Sequence, residues 1–232
     1  MDTKKYKLTE ETINVNGKSL YRIEALKDFG NVKKGDKGGF IENENNLTQY
    51  GKCWVYDNAT VSGYAMVHNN ATVSGNAKVS GNAIIHEDAK IDGDAKVSGK
   101  AIVHDKAEIC DNTEVHGDAM VYENAKIYGN AKVSGNAVVC GDAEVCGKAE
   151  VCDNAEIRGN VIVANDSDYI VFKNWWSSGR YFTWTKSNNM WKVGCFYGSG
   201  KQLINKAYMD SELSGNEYER VVRYIDKDYR NG

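Results

Sequence analysis

Three histidines, His68, His86 and His104, recur at intervals of 18 residues, and three cysteines, Cys140, Cys146 and Cys152, at intervals of six. Imidazoles and thiolates bind first-row metals, and imidazole serves as a general base near neutral pH. Either row could therefore be a metal site or a catalytic row. Which chemistry is open to them depends on what periods of six and eighteen mean in this chain.

The elements that must position these residues are short. From Val55 to Val163 a Val or Ile stands at every sixth residue, giving eighteen complete hexads, and the fifth place is alanine in sixteen of them. The exceptions are Thr113 and Val161. Residues two apart on a strand face the same side, so the place-five alanine and the next Val or Ile both point inward. Places three and four are mostly Gly-Asn, Gly-Asp or Asp-Asn pairs, which tolerate the left-handed backbone of a tight corner. Such strands and corners wind into a parallel β-solenoid.

Units such as "VSGNAK" (Val73–Lys78) and "VSGNAV" (Val133–Val138) resemble the hexapeptide-repeat, left-handed β-helix family. The resemblance implies left-handed winding and three hexads per coil. The expected fold is mainly β: a triangular prism of about six coils, residues 55–164, with an N-terminal β cap, 1–54, and a C-terminal α/β module, 165–232. At the ordinary inter-strand spacing the prism is roughly 29 Å long.

Eighteen residues per coil put residues 18 apart on one face. Spacing six puts Cys140, Cys146 and Cys152 on three different faces, so they share no metal. The three histidines do share a face. Over its first five coils its outward sixth-place residues are Met66, Ile84, Ile102, Met120 and Val138, where the other two faces carry Lys, Glu and Thr, and Tyr122 follows the histidines at place two. A contiguous apolar patch of this size marks an interaction surface. The expectation is a subunit interface formed by Met66, His68, Ile84, His86, Ile102, His104, Met120, Tyr122 and Val138, with a homotrimer implied by the family resemblance. The γ-type carbonic anhydrases of that family hold zinc between subunits through histidines. This chain lacks the inserted loop of that motif, so no metal, cofactor or catalytic residue is assigned.

The ends differ from the repeat. Asn16-Gly17 between alternating strands signals a hairpin. The stretch that follows resembles the entry of YdcK-type hexapeptide proteins. Residues 165–232 hold 14 of the 24 Phe, Trp and Tyr residues. "DYIVFKN", "RYFTWTKS" and "WKVGCFYG" read as three strands, followed by two amphipathic helices. "YGSGK", Tyr197–Lys201, joins strand to helix, where backbone N–H groups could meet an anion; it is not a Walker A motif. A ligand site is expected from Arg180, Lys186 and Lys201 on phosphates, Trp184 or Trp191 stacked on a base, and Gly198 and Gly200 in the turn. An ordinary small aromatic core is the competing reading of the same residues.

The net charge of −3 and pI near 5.9 give no pull toward bulk nucleic acid or anionic membrane. No apolar run is long enough to span a bilayer, and the start has no signal-peptide core, so a cytoplasmic location is expected. The tail also resembles a segment of phage-encoded proteins. The favoured function is a non-catalytic oligomeric binding protein, phage-encoded, acting in the host bacterial cytoplasm. One form would sequester a nucleotide immune signal. The alternatives are a structural or adaptor protein bound to a host or virion protein, and a hexapeptide-family acyltransferase.

Overall fold

The computed structural model describes residues 4–174, 176 and 179–229. The repeat forms a parallel β-solenoid whose strands are mostly two residues long. Every place-one Val or Ile and every place-five Ala is buried, at 0 or 1% exposure. Thr113, in an alanine place, is buried too, and its hydroxyl donates to the Cys110 carbonyl at 2.9 Å. Strands 18 residues apart stack in register, as Lys96 does on Lys78 and Ile102 on Ile84. Each corner has a residue with positive φ. This is usually glycine, which takes positive φ at no steric cost; at Gly99 (φ +71°) a Cβ would also lie 2.7 Å from the Gly117 carbonyl oxygen, whereas Asp, Asn or Glu holds the corner in several other coils.

The solenoid has about seven turns, one more than the hexads predict. Lys37–Ile41 pairs in parallel with Thr60–Val61, and Leu47 bridges Val67. The extra coil therefore precedes Val55. The predicted hairpin is present as Tyr6–Val15 and Lys18–Ala25, with Asn16 and Gly17 both at positive φ. It extends one sheet beyond that first coil.

Both ends are sealed by side chains. Inside the repeat, a place-six N–H donates to the carbonyl of the coil above, as Lys132 N does to Ala149 O at 2.9 Å. The last coil has no coil above it. Its three place-six N–H groups instead donate to Asp166 Oδ1 (Glu150 N, 2.8 Å), Thr183 Oγ1 (Glu156 N, 3.0 Å) and Ser187 Oγ (Ile162 N, 2.9 Å). The opposite end presents carbonyls and receives donors. Asn46 Nδ2 donates to Gly63 O and Ala65 O at 3.0 and 2.8 Å, and Tyr6 Oη to Leu47 O at 2.6 Å. Lys5, 1% exposed, donates to Cys53 O at 2.9 Å, and burial lowers the pKa of its ammonium. Unpaired buried backbone groups are costly, and these contacts remove that cost at the edges where no further strand pairs.

The C-terminal module is a four-stranded antiparallel sheet with helices α1 (Gly200–Asp210) and α2 (Glu212–Asp228). The expected third strand is two: Met190–Val193 and Phe196–Ser199 form a hairpin about Gly194. Phe182, Trp184, Trp191 and Val193 pack with Leu203, Val222 and Ile225 of the helices. Thr183, on the opposite side of the sheet, meets the end of the solenoid.

Candidate functional site

The six-stranded sheet of the solenoid runs from Met66–Val67 through Ile84–Ile85, Ile102–Val103, Met120–Val121 and Val138–Cys140 to Glu156–Arg158. The first residues of these strands point out. Met66 and Met120 are 42% and 38% exposed, and Ile84, Ile102 and Val138 are half-buried; only the last strand departs from this, with Glu156 paired to Lys192 at 2.7 Å. The other two sheets are laced with ion pairs, including Lys90–Glu108, Lys96–Glu114 and Lys132–Glu150. One face is thus apolar where the others are charged.

Along the edge of that face the 18-residue period becomes a ladder of rings. His68, His86, His104 and Tyr122 stack at centroid distances of 5.0, 4.9 and 5.0 Å, with interplanar angles of 9° or less. Burial, and then the neighbouring His104 and His68, push the pKa of His86 below its ordinary value. The Tyr122 phenol rises to about 12, through its hydrogen bond with Cys140 and through burial. Parallel stacking brings the rings together but does not aim three imidazole nitrogens at one point.

The next place in the column was not singled out from the sequence. Asn69, Glu87, Asp105 and Glu123 occupy the positive-φ corner of successive coils. Glu87 Oε2 accepts from Asp105 N and Asp105 Oδ2 from Glu123 N, both at 3.0 Å. His104 Nδ1 lies 3.3 Å from Asp105 Oδ2 and 3.8 Å from Glu87 Oε2. The available signal was glutamate at place three, found only in this column of corners.

The expected C-terminal ligand site does not assemble. Trp184 and Trp191 are 0% exposed inside the module core, so neither offers a face to a base. Gly198 and Gly200 are buried as well; a Cβ on Gly200 would lie 2.5 Å from Val222 Cγ1. These glycines serve close packing. The first turn of α1 is capped by its own Ser199, whose hydroxyl accepts from Gln202 N. Lys201 is exposed on that turn, and Lys186 donates its backbone N–H to Asp168 O at 2.8 Å. Arg180 lines a separate recess of about 230 Å³ with Lys206, Asp210 and Tyr218, whose walls include none of the other six predicted residues. Cys140, Cys146 and Cys152 belong to, or directly follow, strands of three different sheets.

Comparison with known proteins supports a YdcK-like β-solenoid protein. The family described as YdcK beta solenoid repeat matches residues 55–69 and 125–141. A relative from Escherichia coli (strain K12), named "Uncharacterized acetyltransferase YdcK", is 36% identical over 83 residues, which cover 32% of this chain and 26% of the relative. The match thus spans about a quarter of that relative's length. No helix among the described residues is long and apolar enough to cross a membrane.

Proposed function

We propose that this protein is a non-catalytic, self-associating binding protein whose Met/Ile/His face joins copies of the chain. The observation that carries this reading is the segregation of the surface: one face apolar and ring-lined, two faces charged. Three copies is the number the hexapeptide resemblance implies. Each copy would then display its C-terminal module at one end of the assembly, available to a host protein or a ligand in the cytoplasm. In its phage-encoded, counter-defence form, the reading has a host protein or a nucleotide signal as its target. A nucleotide would need a stacking surface other than Trp184 and Trp191, which are buried.

Native mass spectrometry of the full chain and of Ile102→Glu tests the reading. The expected result is a trimer for the first and a monomer with unchanged circular dichroism for the second, because a carboxylate on the apolar face would be buried unpaired. A wild-type monomer would sink it.

Acetyl transfer is the second reading, favoured by the name of the relative. Against it, no loop interrupts the hexads between Val55 and Val163, and fold likeness alone is a weak warrant for chemistry. An acetyl thioester donor that raises the melting temperature and is consumed in the presence of an amine would move the conclusion to this reading.

A further inference from the structure

We propose that Glu87, His104 and Asp105 form a binding site for a first-row divalent cation, at the corner bounding the apolar face. Their ligand atoms all lie within 4.8 Å of one another. Metal–ligand bonds of ~2.0–2.2 Å place the ligands of a tetrahedral ion roughly 3.4 Å apart. His104 Nδ1 stands 3.3 Å from Asp105 Oδ2 and 3.8 Å from Glu87 Oε2, close to that requirement on both sides.

The arrangement is particular to this column. A carboxylate at place three caps the next coil elsewhere too: Asp57 accepts from Gly75 N and Asp111 from Gly129 N. In those columns the residue above is glycine, so each carboxylate stands alone. Here successive coils carry carboxylates, and the two charges converge beside an imidazole. A dication would offset the charge that the two carboxylates bring together, in a cleft that Lys106 also lines.

The donors are also held in place. The N–H groups of Asp105 and Glu123 fix the two carboxylates at 3.0 Å. Stacking between His86 and Tyr122, at 4.9 and 5.0 Å, fixes the His104 ring. Such outer contacts orient metal ligands. The site opens onto a cleft of about 420 Å³ that Asn70 and Asp88 also line, so water can complete the coordination. One nitrogen and two oxygens favour Zn²⁺ or Ni²⁺ over Mg²⁺ and Ca²⁺, which prefer all-oxygen sites.

The test is titration calorimetry of the full chain, freed of metal by a chelator, with zinc chloride, nickel chloride and magnesium chloride at neutral pH. Oligomeric state is measured on the same samples, since the site does not depend on self-association. One equivalent of Zn²⁺ or Ni²⁺ per chain is expected, and no heat from Mg²⁺. His104→Phe keeps a stacked ring but removes the donor, and Glu87→Gln removes a charge; each should weaken binding by about tenfold or more. His68→Phe, in the same ladder but outside the set, should bind as the wild type does. Absence of stoichiometric binding would overturn the proposal. So would His104→Phe binding unchanged, or His68→Phe losing binding equally.

Discussion

Replacing Thr183 by valine tests how the solenoid end is sealed. Thr183 is 2% exposed, and its Oγ1 is the acceptor for Glu156 N at 3.0 Å. Valine keeps the shape and the strand preference but removes the acceptor. A buried donor left unsatisfied costs ~1–3 kcal/mol. The methyl that replaces the hydroxyl returns at most ~0.8 kcal/mol. The net loss is about 0.2–2.2 kcal/mol, a factor of roughly 1.4–40 in the local opening equilibrium. Amide hydrogen exchange under native conditions reads this residue by residue. The Glu156 amide should exchange faster by that factor, while Glu150 and Ile162, whose acceptors are Asp166 and Ser187, should change much less. Thr183→Ser, which keeps the hydroxyl, should restore most of the protection. An unchanged Glu156 amide would refute the reasoning, and equal acceleration of all three would show that the module had simply come loose.

Ala101→Leu forces extra methylenes into an interior whose alanines are fully buried. It should cost about 1–3 kcal/mol or more in chemical denaturation, and an unchanged midpoint would refute a filled interior. Lys96→Ala breaks an exposed pair with Glu114 and should cost less than ~1 kcal/mol in the same assay, because surface pairs contribute little. His86 supplies a pH dependence. It faces His68 and His104, with Glu87 and Asp105 nearby, and its folded pKa lies below the ordinary 6.5. The unfolded chain therefore takes up the proton first, so this stability is present above about pH 6.5 and declines as pH falls toward the folded pKa. Denaturation midpoints should drop between pH 7 and 5.5, and less in His86→Phe; a rise on acidification would contradict the sign. Asp105, Glu108 and Glu114 have lowered pKa values from ordinary values of 3.8 or 4.5. Their stabilising contributions are lost at lower pH, which leaves the histidine window distinct.

The period of six was enough to read the inside of the solenoid, because burial repeats with it. Val97, Ala101 and Val103 are buried for the reason their spacing gives. The first coil was hidden because it breaks the count: Ile41 pairs with Val61 and Leu47 with Val67, twenty residues apart rather than eighteen. Alternation along Tyr181–Thr185 separates Phe182 and Trp184 from Thr183 and Thr185, yet all four are buried. One side meets the helices and the other the solenoid end. Aromatic and basic residues in one strand do not reveal that both sides of it are covered, which is why Trp184 and Trp191 read as ligand-stacking candidates. The acidic corner needed the three-dimensional column. Glu87 and Asp105 are eighteen residues apart in sequence and become neighbours only when coils stack.

The sealed ends and the self-similar middle give this fold a quantum of length. A coil touches only the coils beside it, and neither cap senses how many lie between. Inserting or deleting eighteen residues would move the caps apart or together by one strand spacing, ~4.8 Å, and leave every column intact. A change of six would still wind, yet it would turn everything downstream by a third of a revolution. His104 and Tyr122 would then leave their ladder for a charged face. Both changes keep the hexad pattern, whereas the apolar face and the acidic corner keep their columns only with whole coils.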